Sequence, residues 1–372
     1  MVKIGVVSLG CRSTRENYGA IIQMWAFSKI LKKVNPEFEV EMIDYQGKCL
    51  KNLTGKYTEL DLKRKRKGIV GLLNCIISYP FVKRRYDNIE AFLNKHCNVT
   101  LKKYKYSELK NYYLDYDYLF AESDVIWDPS FRNSGFDEMF FLNVTAKESC
   151  KKFVYGASAG NCDFSEEQKK KFLSLIKELD DYSLREAHAA EYIAEFTKSD
   201  IKTVLDPTLL LEKKDYIGLI GSRPIREKYI FMYFPSSLNK KALRFAKAIA
   251  QKNNYKIIAI SRSLKDKMFV EAKITCGIED FLTYLNYAEL VVCDSFHGVC
   301  LSYVLQKEFY AFPRNGEQKI KAICDLLGLP ERFIDGDYVC DKAIEYDEDF
   351  LQGKRAESMK FIKDCFDKNR DF

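Results

Sequence analysis

Histidine is scarce in this sequence, with three in 372 residues. Cysteine is commoner, with twelve, yet no two stand in a C-x-x-C pair and no histidine falls at metal-ligand spacing from them. That excludes a zinc-ribbon or thioredoxin-like reading. It leaves reduced thiols inside apolar segments, such as Cys75, Cys293 and Cys300, as in a cytoplasmic protein. Long hydrophobic runs are missing too: "GIVGLLNCIISYPFV", residues 68–82, is too short to span a bilayer. The opening "MVKIGVVSLG" reads as a short strand and not as a signal peptide, since its apolar stretch is brief and no cleavage site follows. No G-x-G-x-x-G spacing comes after it, so the dinucleotide fingerprint is absent. An excess of one charge is also lacking. Sixty basic against 53 acidic residues leave +7, too mild to demand nucleic acid but suited to an anionic small substrate or an anionic membrane surface.

Core-forming material is abundant. Hydrophobic residues make up 47% of the chain, with 24 tyrosines and 26 phenylalanines, which excludes a disordered chain. The length exceeds one ordinary core, so two domains are expected. "KIGVVSL" reads as a buried strand and "FEVEMIDY" as the next. Between them "AIIQMWAFSKILKKV" reads as a helix whose basic end suits the dipole. Further strands are read in "YDYLFAES", "KKFVYGAS", "DYSLR" and "KTVL". A second series runs through "KYIFMYF", "YKIIAIS", "AELVVCD" and "EFYAF", with helical stretches between. Strand and helix alternate in both halves, which predicts an α/β protein of two Rossmann-like domains facing a central cleft. Pro207 and the charged stretch after it interrupt the pattern. The expected division is therefore residues 1–208, residues 209–350 and a closing helix over 351–372. Residues 51–114, rich in lysine and aromatics, are expected to form a helical insert in the first domain.

Open α/β sheets bind ligands beyond the carboxyl ends of their strands, so candidate residues are those just after strands. "AELVVCDSFHGVCLSYVL" meets that rule: a strand, then Asp294, Ser295, Phe296, His297 and Gly298, then a helix. Ser295 can cap that helix, whose free N–H groups favour an anion. His297 stands in the first turn, where the dipole opposes its protonation and a bound phosphate favours it. That suits a proton carrier near neutral pH. An ordinary cap followed by a loop histidine fits the same residues. Arg185, Arg262 and Arg314 each follow a strand. Three guanidinium forks on one edge would make an anion cleft, although a surface ion pair explains any single one. Ser123, Asp124 and Trp127 follow "YDYLFA" and suit either a sugar ring or a capped turn above a core tryptophan. Asn17 opens the first helix, as a ligand contact or as its cap. Residues 68–82, between "KRKRK" and "KRR", fit a segment lying on an anionic membrane face or a core helix with solvated flanks. No nucleic-acid-binding fold surrounds "KRKRK".

Taken in order, "NYGAIIQMWA", "ESDVIWDP", "VYGASAG", "YSLRE", "LDPTLLL" and "VVCDSFHGVCLSYVLQKEFYAF" resemble the polysaccharide pyruvyl transferase family over roughly residues 1–314. The resemblance implies the two-domain arrangement of GT-B glycosyltransferases. It implies transfer of pyruvate from phosphoenolpyruvate to two hydroxyls of a sugar, as a cyclic ketal, with release of phosphate. The implied partners are phosphoenolpyruvate and a sugar or lipid-linked oligosaccharide acceptor, with no nucleic acid, no metal and no further cofactor. The implied location is cytoplasmic, or peripheral at the inner face of the membrane. By the same resemblance Arg185 and His297 contact phosphoenolpyruvate; Asp124 is the expected base for the sugar hydroxyl. Two places depart from the family. Ser295 stands where many relatives carry arginine, leaving Arg262 or Arg314 to supply that contact. "ESDVIW" stands for "GSDQIW", so Glu122 and Val125 replace a glycine and a glutamine. The alternatives are a GT-B glycosyltransferase acting on a nucleotide sugar and a non-catalytic carbohydrate-binding scaffold.

Overall fold

The apolar runs become the strands of two parallel sheets. The computed structural model describes residues 1–11, 17–46, 68–105, 108, 112–130, 135–235, 238–261, 264–314, 319–336, 342–347 and 349–367. Its first sheet holds β1 (Lys3–Ser8), β2 (Glu39–Gln46), β3 (Val99–Lys105), β4 (Tyr118–Glu122), β5 (Lys151–Ala157), β6 (Asp181–Leu184) and β7 (Lys202–Thr203), ordered β3-β2-β1-β4-β5-β6-β7. The second holds β8 (Tyr229–Tyr233), β9 (Lys256–Ile260), β10 (Glu271–Lys273), β11 (Leu290–Cys293) and β12 (Phe309–Ala311), ordered β10-β9-β8-β11-β12. The ladders are parallel throughout, and β8 is buried along its whole length, as strands covered on both faces are. The two sheets make two Rossmann-like units. Each strand order reverses once, between β1 and β4 and between β8 and β11. Such reversals open the crevices where α/β sheets take ligands. Residues 123–124 follow β4 and residues 294–297 follow β11, so two of the candidate segments stand at the two switch points.

Helix α1 (Tyr18–Val34) joins the units. Asn17 caps it, Lys32 and Lys33 close it, and most of its side chains are buried. The Tyr18 hydroxyl donates to the Cys276 carbonyl at 2.7 Å, and its ring stacks on Phe281 at 5.4 Å. One apolar cluster consequently runs from Ile4 and Val6 through α1 to Phe231 and Val291 of the second sheet.

The expected insert is only partly helical, and residues 47–67 lie outside the described residues. Helix α2 (Gly68–His96) leans on the second unit: Asn88 donates to the Thr275 carbonyl at 2.7 Å, and Lys95 and His96 meet Glu279 at 3.0 and 2.9 Å. Val99–Lys105 is a strand instead of helix. The β-branched Val99 and Thr100 favour extension, and exposed Lys102, Lys103 and Lys105 protect a sheet edge. Strand β10, "EAK", has no strand preference of its own; it forms where β9 offers a free edge. Among the described residues no helix is long and apolar enough to cross a membrane.

Three further helices start near the cleft: α3 (Ala187–Thr197), α4 (Pro207–Leu210) and, after Ile278–Asn286 (α5), α6 (Phe296–Val304). The division expected at residue 208 falls inside α4. The last helix, α7 (Gln352–Asp367), returns to the first sheet, where Phe366 packs on Phe38 and Tyr118 at 4.7 and 4.8 Å between ring centres.

Candidate active site

At the end of β4 the chain is forced into an unusual turn. Ser123 and Asp124 have φ of 40° and 59°, the left-handed region that side chains other than glycine avoid. Three backbone bonds hold them there: Ser123 N to Tyr155 O, Ser158 N to Asp124 O and Ile126 N to Asp124 O, each 2.8 Å. Strain of this kind costs about 1–3 kcal/mol per residue and concentrates at functional sites. The turn aims the Ser123 hydroxyl at Asp206, 3.5 Å away, while that hydroxyl also donates to Gly156 O at 3.1 Å.

Asp206 is the centre of the arrangement. It is 1% exposed, and it caps α4 by accepting from Thr208 N at 3.0 Å and Thr208 Oγ1 at 2.6 Å through Oδ1. Its Oδ2 accepts from Arg185 Nη1 at 2.9 Å and Gln23 Nε2 at 3.2 Å, and it faces His297 Nε2 at 3.6 Å. The last distance is beyond a hydrogen bond but within ion-pair reach. Burial alone pushes the Asp206 carboxyl up. Attraction to His297 and Arg185, with the Thr208 hydroxyl bond, outweighs burial and holds the group well below the usual carboxylate range.

Arg185, just after β6, is buried. Its Nε donates to Glu186 Oε1 at 2.9 Å, and its guanidinium carbon lies 4.1 Å from the centre of the Phe296 ring. Burial opposes its charge, but Glu186, Asp206 and Asp124 overcome that and bind its proton more tightly than usual. Nη2 is the guanidinium nitrogen left without a partner among the described residues. Arg185 also lines a cavity of about 460 Å³ with Glu186, Asp206, Phe296, Lys319 and Lys354; His297 is not part of that lining.

His297 comes from the other unit. Ser295 caps α6, its Oγ accepting from Gly298 N at 3.3 Å, which places His297 in the first turn. The imidazole lies against Gly19 in the first turn of α1: a Cβ there would stand 2.4 Å from His297 Nδ1 and 2.6 Å from its Cβ. Only glycine permits that approach. The amino ends of α1 and α6 therefore meet at the histidine, and both dipoles favour an anion there.

The candidate residues do not all gather. Ser123, Arg185 and His297 converge on Asp206. Asp124 is half-buried at the rim, near enough for its charge to act on Arg185. Asn17 caps α1 two residues from Gly19, accepting from Ala20 N at 3.3 Å. Arg314 does not reach Asp206, and Arg262 lies outside the described residues. Trp127 is a correction. It is fully buried, stacked on Phe141 at 5.0 Å, with Nε1 donating to Phe140 O at 3.1 Å, so it presents no face to a sugar. Sequence reasoning missed Asp206, Gln23 and Glu186. Their signals were an Asp-Pro after an apolar strand, one polar residue inside an apolar helical stripe, and an acid directly after Arg185.

A family model described as "Polysaccharide pyruvyl transferase" matches residues 17–316, from the cap of α1 to beyond β12. The chain belongs to the polysaccharide pyruvyl transferase family. The match takes in Asp206 and every group joined to it. No curated protein matches. Among solved structures, UDP-GlcNAc 2-epimerase from Methanocaldococcus jannaschii is 13% identical at a TM-score of 0.51, over 97% of this chain and 98% of that one. The E. coli heptosyltransferase WaaC with ADP is 12% identical at 0.43, over 98% of this chain and 100% of that one. The epimerase likeness shows a shared GT-B fold. Within the family pattern, Glu122 of this member is buried below Ser123, and neither carboxylate oxygen finds a hydrogen-bond partner among the described residues. Burial pushes it well above the usual carboxylate range, with the Ser8 hydroxyl pulling the other way and Asp206 and Asp124 adding to the rise.

Proposed function

We propose that this family member moves pyruvate from phosphoenolpyruvate onto two hydroxyls of a sugar, with His297 carrying the proton. The acceptor is a sugar of a polysaccharide or of its lipid-linked precursor, reached from the cytoplasmic side. The observation that carries the reading is that His297 and Arg185, from different units, share one buried carboxylate, Asp206.

The reaction needs a proton delivered to carbon and a multiply charged donor held still. C3 of the enol accepts the proton and becomes a methyl group. C2 becomes oxocarbenium-like and takes the first sugar hydroxyl. Departure of phosphate restores the cation, and the second hydroxyl closes the ketal. Of the two hydroxyl protons, one replaces that given to C3 and the other leaves on phosphate. Asp206 opposite Nε2 supports the protonated imidazole, a positioning role. Arg185 keeps Nη2 for the phosphate or carboxylate of the donor, its fork fixed by Glu186 and Asp206. Two converging helix amino ends add to the anion's stability. Asp124, at the rim, receives a hydroxyl proton. No cofactor beyond the donor is required.

Phosphorus NMR of phosphoenolpyruvate with the enzyme and a panel of sugar acceptors tests this. Acceptor-dependent phosphate is expected. His297→Ala should lower the rate about 10²–10⁴-fold, the usual weight of an acid–base group, with the fold retained. Asp206→Asn should shift the pH profile of kcat. No phosphate release, together with stabilisation by a nucleotide sugar, overturns the reading.

A further inference from the structure

Helix α2 has two different halves. From Arg85 onward it is anchored: Arg85 is 1% exposed with Nη1 donating to Ser261 O at 3.5 Å, and Ile89, Phe92 and Leu93 are in the core. Before the half-buried Phe81 and Val82, the side chains described are exposed. Ile77, Tyr79 and Pro80 are all exposed, the first two at 58% and 41%, although successive helical residues point about 100° apart.

A second apolar element lies beside it. Phe81 is on the same helical face as Ile77, four residues on. Lys267 Nζ sits 5.1 Å from the centre of the Phe81 ring, and Phe81, Lys267 and Val270 line one open groove. Next in the chain, Met268 is 80% and Phe269 52% exposed. Exposed cations stand beside these apolar groups. Lys83, Arg84 and Lys267 are exposed, and Arg84 and Lys267 have no acidic partner among the described residues. Of the acids nearby, Asp87 pairs with Lys83 at 2.7 Å and Glu271 with Lys273 at 2.6 Å, while Asp266 accepts from the Ser261 hydroxyl.

We infer that this face, Ile77 and Tyr79 of α2 with Met268 and Phe269, docks on an anionic bilayer surface. Apolar tips enter the headgroup region while Arg84 and Lys267 meet lipid phosphates, the combination that interfacial segments use. The charge complementarity decides the occupant, since exposed apolar side chains beside two cations without acidic partners among the described residues fit anionic lipid. The helix is too short in apolar length to cross, so it lies on the surface. The inference does not depend on the chemistry proposed for Asp206 and His297.

Flotation of the full chain with vesicles tests it. Vesicles of phosphatidylcholine containing phosphatidylglycerol should carry the protein, and phosphatidylcholine alone should not. Two double variants, Met268→Asp with Phe269→Asp and Arg84→Glu with Lys267→Glu, should each weaken partition about tenfold or more, and salt should weaken binding of the unaltered chain. Melting temperatures of both variants should stay unchanged, since the altered side chains are exposed. No binding to anionic vesicles overturns the inference, and so does binding that both variants leave intact. Concentration-dependent self-association abolished by the same substitutions overturns it too, because the face is then an interface between copies.

Discussion

Gly19 stands in the first turn of a helix, where glycine is about 1 kcal/mol worse than alanine. Its place is explained by the imidazole against it. Gly19→Ala should lower stability by about 1–3 kcal/mol through overpacking and cut turnover about 10²-fold or more, because a displaced His297 loses its geometry; circular-dichroism melting and phosphate release measure the two effects. Glu122 makes the opposite kind of test. Its folded carboxyl is raised by burial, so the native state holds a proton that the unfolded chain releases above its ordinary pKa. Stability is therefore present at low pH and is lost as pH rises toward the folded pKa, by about 1.4 kcal/mol per unit. Glu122→Gln removes that slope and should gain on the unaltered protein as pH rises. Parallel curves of stability against pH would rule the assignment out. Asp206 has the reverse sign. Its carboxyl is lowered, so its stabilisation is present above the ordinary carboxylate range and fades as pH falls through it. Asp206→Asn, which leaves Arg185 to Glu186 alone and takes away the carboxylate facing His297, should cost about 3–5 kcal/mol at neutral pH in denaturant titration.

Elements were legible where their reason for forming is local. The buried runs that became β1, β4, β5, β8, β9 and β11 carry their own signal, being apolar on both faces. Edge strands β3 and β10 do not, because a neighbouring strand decides them. The position rule placed His297 and Ser123 correctly at strand ends, since topology alone puts them there. It could not tell that Trp127, four residues beyond Ser123, turns inward to Phe141. Nor could it identify Asp206, whose importance comes from contacts with residues 21, 83, 91 and 183 positions away. Helix α7 was expected as a closing helix, and its aromatics show what it closes. Phe366→Ala removes contacts with Phe38, Tyr118 and Phe120 and should destabilise by about 3–5 kcal/mol in thermal or urea unfolding, without changing the affinity for substrate.

For the whole molecule, the apolar cluster that crosses both sheets makes separate melting of the halves unfavourable. A single calorimetric transition is expected, with calorimetric and van't Hoff enthalpies in agreement; two resolved transitions would show the halves to be independent. The contact between Gly19 and His297 has a consequence for timing. Asp206 and Gly19 belong to one half of the chain and His297 to the other, so the contact of imidazole with carboxylate is completed only when both halves are in register. At 3.6 Å, a slippage of a single ångström dissolves it. On the chemistry proposed for it, the histidine works as a coincidence detector, armed by alignment and silent without it.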